Sequence, residues 1–441
     1  MFFSNHTVSP GSKFSSYLLA FLTFLTGGAL LGQPVYTLSD CIRVALENQP
    51  GIRIARLRVQ SSLAGVKGSL ANILPTVSYR AGYLNQGSYV NPEIAFTVPE
   101  SEYYSGGISL NQTIYDGGRW WNQIAAANTL YEYTNISKTQ TRITVILEVK
   151  KAFYQYLKNL QLLEVSRQSV ELAKHQLELV KHQYEVEAVA RTDLLKQRVQ
   201  LGNMEVDALN QEAATTNSFN ELANAMGLEV GTEFSVLDNP EVNPVPMESF
   251  PVVWKKVTET NPSLLAQQMQ VDNSALALKI ARSGYFPTLS LSVGYDGSST
   301  AFDQLYTDVD KHWRLQTRLS VSYPLFTGFS RSTQVEGSRL EYKIERENQR
   351  TLLRNLQVQL DFTMRQLSNL DKMIPIFEET RQSAEEDQRL ARERYNLGAA
   401  TILDVLDAQL SVARANSSLV RAIYDRKILQ AQLDALLGKS G

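Results

Sequence analysis

Two hydrophobic periods divide this chain, and each occurs twice. In four stretches apolar and polar residues alternate. Val77, Tyr79, Ala81 and Tyr83 oppose Ser78, Arg80 and Gly82, and Ile108, Leu110, Gln112 and Ile114 oppose Ser109, Asn111 and Thr113. Leu289, Leu291, Val293 and Tyr295 oppose Ser290, Ser292 and Gly294, and Leu315, Thr317, Leu319, Val321 and Tyr323 oppose Gln316, Arg318, Ser320 and Ser322. Period two predicts four strands of about ten residues, each with one apolar and one polar face. Pro324 lacks the N–H that a ladder needs, so the fourth strand is expected to end near Tyr323.

Elsewhere apolar residues recur every three to four positions, as in Ile143, Ile146, Leu147, Val149, Phe153, Leu157, Leu160 and Leu163. That pattern predicts one helix from about Trp120 to Glu187, free of proline and glycine, which is about 100 Å long at 1.5 Å per residue. After a break at Ala188 to Thr192, a second helix is expected from Asp193 to Met226. Ahead of the strands, Thr37 to Asp40 offers an N-cap to a short helix stopped by Asn48-Gln49-Pro50, and another helix runs from Pro50 to Asn72. The two shorter helices together nearly match the long one, so they are expected to stack end to end beside it. Long helices with narrow apolar stripes read as coiled-coil walls and not as a globular core.

The pattern occurs twice because the sequence does. Residues Pro50 to Tyr83 align without a gap on Pro262 to Tyr295, pairing Pro75 with Pro287, Gly82 with Gly294 and Tyr83 with Tyr295. After one loop the offset drops from 212 to 211 and holds, placing Gly227 on Gly438. A duplication of this length predicts two copies of one unit in a pseudo-symmetric body. The expected division is a signal peptide at residues 1–32, repeat one at 33–239, a proline-rich linker at 240–253 and repeat two at 254–441.

The strand pattern is that of a lipid-facing barrel, with Tyr79, Tyr83, Tyr295 and Tyr323 at interfacial positions and polar loops, Leu84 to Ser105 and Asp296 to Trp313, joining each hairpin on one side. A small soluble sheet with one face on a core has the same alternation. The N-terminus favours the barrel. Tyr17 to Leu31 is a short apolar run preceded by Lys13 and followed by small residues, which reads as an export signal and is too short to span a bilayer. Four strands close no barrel, so closure requires several chains. Three chains supply twelve strands, and two or four remain compatible with the sequence.

Composition narrows the function by exclusion. The formal net charge is −2 with mixed signs, so no basic surface calls for nucleic acid. One cysteine (Cys41, within the first helix and not at the end of an apolar run) and four scattered histidines predict neither a disulfide framework nor a metal site. No nucleophile–base pair or phosphate loop stands out, and neither an enzyme nor a cofactor is expected.

The turns at the far ends of the long helices carry the most specific residues. Repeat one reads KHQYEVEAVARTDLLKQ from Lys181 and repeat two RERYNLGAATILDVLDAQ from Arg392, matching Tyr184 to Tyr395 and Asp193 to Asp404. Together with Tyr115-Asp116-Gly117-Gly118, Phe326-Thr327-Gly328 and the duplication, these segments resemble the TolC family of outer-membrane efflux proteins over roughly Leu38 to Gly438. The resemblance implies a mixed α/β membrane protein. Its trimer would carry a twelve-stranded barrel in the outer membrane of a Gram-negative bacterium, continuous with a helical coiled-coil barrel through the periplasm. It also implies outer-membrane lipid around the strands, a periplasmic adaptor, and an inner-membrane pump or ABC transporter as partners. By the same resemblance Asp404 and Asp407 ring the periplasmic constriction, where carboxylate rings select cations. Tyr395, Asp193 and Thr192 fit the tip interlock, with Arg191 as a candidate for the arginine that Ala400 does not supply. The adaptor-docking turns would be Val186-Glu187-Ala188 and Leu397-Gly398-Ala399, with Glu187 standing where the family has glycine. The expected activity is a passive exit duct for tripartite efflux or type I secretion. A self-standing diffusion porin and a structural envelope protein are the alternatives.

Overall fold

A computed structural model describes residues 34–91, 96–98, 101–229, 231–237 and 248–439. The expected signal peptide at 1–32 lies outside the described residues, as does 240–247 of the expected linker.

In chain order the elements are β1 (Val35–Tyr36), α1 (Leu38–Asn48), α2 (Pro50–Leu70), β2 (Thr76–Gln86), β3 (Tyr89–Asn91), β4 (Phe96–Val98), β5 (Ser101–Tyr115), α3 (Arg119–Glu185) and α4 (Arg191–Ala225). Then follow β6 (Ser235–Val236), α5 (Phe250–Thr260), α6 (Pro262–Ser283), β7 (Thr288–Ser299), α7 (Gln304–Thr307), α8 (Val309–His312), β8 (Trp313–Ser322), α9 (Ser330–Asn396) and α10 (Ile402–Leu436). The boundaries of α5 follow those of α1 at the offset of 212, and those of α9 and α10 follow α3 and α4 at 211. The duplication therefore holds in three dimensions almost residue for residue. Helix α5 begins at Phe250, inside the stretch expected to be linker, because Pro251 lies in its first turn, where its missing N–H costs nothing.

The helices form a wall of four columns. In its upper part α2, α3, α6 and α9 pack in that order, and in its lower part α4, α3, α10 and α9. Helices α2 and α4 share the first column and α6 and α10 the third, stacked end to end. Equivalent amides staple both junctions. The Gln49 side chain donates to the carbonyls of Asn224 (2.8 Å) and Ala225 (3.0 Å), and the Asn261 side chain donates to that of Leu436 (2.9 Å). Helices α3 and α9, each 67 residues, run the full height as columns two and four.

Each junction sits on its own core, and the two cores are built from equivalent positions. Cys41, Ala45, Val145, Val149, Phe153 and Leu222 in repeat one correspond to Val253, Val257, Leu356, Leu360, Met364 and Leu433 in repeat two. Cys41 is thus a core side chain that stands where repeat two has valine, fully buried, with its thiol pushed up to about 12 by desolvation. Across the repeats Lys158 on α3 pairs with Asp425 on α10 (2.8 Å), while the next residue, Arg426, pairs with Asp371 on α9.

The four long strands make one antiparallel sheet in the order β2-β5-β7-β8, the order of the columns that adjoin them. The ladder runs further outward than the sequence indicated. Leu84 pairs with Tyr103 and Gln86 with Ser101, and β7 continues to Ser299. Only the remainder is loop, carrying the small β3–β4 hairpin on one side and α7 and α8 on the other. A bulge between Thr113 and Tyr115 breaks the expected alternation at Ile114, so Tyr115 instead faces Leu289 on the apolar side. Gln112 shares that side and its amide is satisfied by the carbonyls of Ile73 (3.1 Å) and Thr113 (2.9 Å). The strand β8 stops at Ser322, just before Tyr323-Pro324.

Candidate functional site

Two regions carry the candidate chemistry, the sheet at one end of the columns and the helical turns at the other.

The apolar face of the sheet has an aromatic band at each end. At the outer end Tyr83 packs on Tyr104 (5.0 Å between ring centres), Tyr104 on Phe302 (5.5 Å), and Tyr295 on Trp313 (5.0 Å). The Trp313 indole N–H donates to the Leu305 carbonyl (2.9 Å), tying α7 to this band. At the helical end Trp121, Tyr323, Phe326 and Phe329 are all exposed. Of the tyrosines expected at interfacial positions, Tyr83 and Tyr295 lie in the outer band and Tyr323 at the helical end, while Tyr79 is exposed between them; Phe302, on the outer loop, carries no periodic signal. Among the described residues no helix is long and apolar enough to cross a membrane.

At the opposite end both helix-to-helix turns are Schellman motifs. The Ala188 N–H bonds to the Gln183 carbonyl and that of Glu187 to the Tyr184 carbonyl; Ala399 and Gly398 do the same with Arg394 and Tyr395. The motif needs a left-handed residue. Gly398 supplies it at φ +72°, and Glu187 adopts the same conformation at φ +58°. The missing glycine therefore leaves the turn geometry intact, at a strain of about 1–2 kcal/mol. At the crest of each turn an apolar side chain projects into solvent, Val186 at 74% and Leu397 at 83% exposure. Ala188 and Ala399 complete the turns.

Below the turns the repeats diverge. Thr401 caps α10 and forms a capping box with Asp404, whose carboxylate accepts from the Thr401 N–H (2.7 Å) and hydroxyl (2.8 Å). Those bonds hold the Asp404 carboxyl below its usual range. Asp404 is thus first a helix cap. The threonine–x–x–aspartate spacing of Thr401 and Asp404 is the sequence signal of this cap. Asp407, one turn on, shares its exposed face and makes no side-chain hydrogen bond or ion pair among the described residues. In repeat one Ala190 stands at the cap and forms no box. There Asp193 lies 3.9 Å from Lys196, the counterpart of Asp407.

The tip interlock residues come together differently from the expectation. Tyr395 packs against Val180, Leu194 and Ile402, and its hydroxyl donates to the Gln183 side chain (2.8 Å), not to Asp193. Burial, and then the Asp193 charge, raise its phenol. Gln183 is therefore a contact that the sequence did not single out. Arg191 and Thr192 are exposed in the first turn of α4 and not in the preceding break, and the counterpart of Arg191 at the offset of 211 is Ile402. Among the described residues no group of histidine, cysteine or acidic side chains is placed to hold a metal ion.

Comparison with known proteins gives one consistent result. The family model described as outer membrane efflux protein matches residues 41–228 and 253–439, the two repeats in turn. The outer membrane protein TolC of Vibrio cholerae serotype O1 is 25% identical over 403 residues, covering 91% of this chain and 90% of that protein. TolC of Escherichia coli K12 is 22% identical, covering 94% and 84%. Among solved structures the Campylobacter jejuni CmeC outer membrane channel superposes with a TM-score of 0.83 at 15% identity, covering 91% of this chain and 86% of that one.

Proposed function

The chain belongs to the family of outer membrane efflux proteins, and from that premise we propose that it forms the outer-membrane exit duct of a tripartite efflux or type I secretion system. One observation carries the reading. The sheet and the wall each present two unpaired edges, arranged so that another copy continues both. Strand β2 is exposed along its whole length and β8 along nearly all of it. Placing β8 against a neighbour's β2 preserves the antiparallel alternation and adds four strands per chain. Two chains would give an eight-stranded barrel whose lumen side chains fill. Three give twelve strands and an open duct.

The helical edges agree with this arrangement. Helix α9 exposes Val358, Phe362, Met373 and Ile376, and the first column exposes Leu57, Leu195, Val199, Val206 and Leu209. The α4 residues are spaced by four, seven and three, with Gly202 at the skipped position, so they lie on one heptad stripe, a coiled-coil seam with no partner among the described residues. A ring of three chains joins α9 of each to the first column of the next.

In that ring Asp407 faces the narrow end of the tunnel, backed by the charge of Asp404, and the closed tip opens when the hairpins are drawn apart. The exposed crests at Val186 and Leu397 are the docking points for a periplasmic adaptor, which links the duct to an inner-membrane pump or ABC transporter. The duct needs no chemistry of its own; its partners supply the energy.

Planar-bilayer recording of the purified assembly tests this reading. Small currents that grow when Asp404 and Asp407 are both replaced by asparagine, with weaker block by divalent cations, are expected. Large steady wild-type currents without partners would instead indicate a diffusion porin. Deleting the gene should sensitise cells to exported compounds; an unchanged profile of drug susceptibility and secreted proteins would favour a structural envelope role.

A further inference from the structure

The polar face of the sheet is not evenly polar. Register places Arg80 opposite Gly107, Gly107 opposite Asp296, and Asp296 opposite Arg314, so one row crosses all four strands with an arginine on each edge strand. Two rungs towards the helices, Arg318 stands opposite Ser292 on the same face. Around these residues the face is serine, glycine, glutamine and asparagine, including hydrogen-bonded pairs between Ser78 and Ser109 (2.8 Å) and between Ser292 and Asn111 (2.7 Å). Asp296 is the row's single acid, and its carboxylate lies down on the sheet. It occupies the space above Gly107, where a Cβ would come within 2.1 Å of its Oδ1. From there it reaches no arginine: among the described residues Arg80, Arg314 and Arg318 make no ion pair.

The outer loop supplies the other wall, with Asp308 and Asp310 beside Lys311, so the excess positive charge is that of the arginines. Helix α8 brings Lys311 and His312 over the row, and together with Arg80, Arg314, Gln316 and Asp296 they line a cleft of 530 Å³. Lys311 is steadied by Asp308 (3.2 Å). A cleft walled by two unpaired guanidinium groups, Arg80 and Arg314, with one recumbent carboxylate attracts anions, because planar guanidinium forks match the oxygens of carboxylate, sulfate and phosphate groups.

We propose that the barrel section of the duct carries an anion-attracting girdle made by Arg80, Arg314 and Arg318, opposite in sign to the carboxylates at the helical tip. This rests on the reading that the polar face lines a closed lumen. Each strand set then contributes three arginines against one aspartate, and three chains bring nine arginines around a lumen only twelve strands wide. Rings of basic side chains favour anions in pores as rings of acidic ones favour cations. Two zones of opposite sign in series would draw a cation-bearing solute into the tip and an anionic group towards the outer mouth. Solutes with carboxylate, sulfonate or phosphate groups are the class that the outer zone holds.

The test is the anion-to-cation permeability ratio, taken from reversal potentials of the purified assembly in a planar bilayer under a potassium chloride gradient. In the triple variant R80Q/R314Q/R318Q the ratio should fall several-fold, while R80K/R314K/R318K should keep the wild-type ratio. Inorganic tripolyphosphate added from the outer side should reduce wild-type current and leave the glutamine variant unaffected. The tip carboxylates are the same in all three proteins, so they do not contribute to the differences. A conducting glutamine variant with an unaltered ratio would overturn the girdle, as would a lysine variant that behaves like it. Absence of any wild-type conductance would instead overturn the duct reading beneath it.

Discussion

Helices α3 and α9 have the same length, start after the same left-handed turn and end in the same Schellman motif, yet they are different surfaces. The inner column α3 buries side chains from Ile143 to Val180, through its middle and on almost to the tip. Helix α9 buries none beyond Leu367. Its far half instead pairs charges along its own surface, Arg381 with Glu378 (2.8 Å) and Glu385 (2.7 Å), and Arg389 with Glu386 and Glu393 (both 2.6 Å). It also contains Pro375, which frees the carbonyl one turn earlier, at Asp371. Duplication fixed where the elements begin and end. Position in the wall then decided what each surface became, because column two is flanked on both sides and column four is an edge.

The largest expected effect separates edge from interior. Replacing Val358 and Phe362 by aspartate places charge on the open face of α9, and the chain should stay helical by circular dichroism while light scattering shows the assembly dissociated into single chains. Retained assembly would mean that α9 is not the joining edge. The cores come next, and there the repeats should behave alike. Phe153→Ala should cost about 3–5 kcal/mol and Met364→Ala about 2–5 kcal/mol, since both empty the centre of equivalent clusters. Thermal unfolding that registers only one of the two would break the equivalence.

Smaller effects of opposite sign are expected at the turns. Glu187→Gly relieves a left-handed glutamate and should stabilise by about 1 kcal/mol, whereas Gly398→Glu imposes the same strain and should destabilise by about 1–2 kcal/mol. Smallest is the capping box. Thr401→Ala should loosen the start of α10 by about 1 kcal/mol, and Ala190→Thr should build an equivalent box with Asp193 and firm up α4. The box also depends on pH. Because the Asp404 carboxyl is held below its ordinary value of 3.8, its contribution is complete above that value and is lost as pH falls through the lower folded one. Hydrogen-exchange protection in the first turn of α10 should therefore drop below about pH 4 relative to the first turn of α4.

Much of this was legible in the chain. The offset predicted the element order and most boundaries, and Glu187 stood out as a departure at a glycine position. Phe329 takes the left-handed conformation of Gly118, its counterpart, where a Cβ would come only within 4.0 Å of the Asn122 side chain. At Gly117 a Cβ would strike the Ser283 carbonyl at 2.6 Å, yet the corresponding Gly328 meets nothing. What the chain did not disclose depends on neighbours. Period two shows the face of a strand but not its register, so the row joining Arg80, Asp296 and Arg314 emerged only once the strands were paired. Period 3.6 shows an apolar stripe but not whether a column is flanked, so α3 and α9 looked equivalent. At the tip, the bond from Tyr395 to Gln183 joins residues 212 apart, and no local pattern marks it.

In the proposed ring each chain is one third, joined through α9 and β8 to the first column and β2 of the next. The mass of the detergent-purified assembly, with the bound detergent subtracted, tests it most directly. A single species of three chains, which lysine cross-linking converts to a ladder ending at three, is the result expected. A stable single chain, or a ladder ending at two or continuing past three, would contradict it.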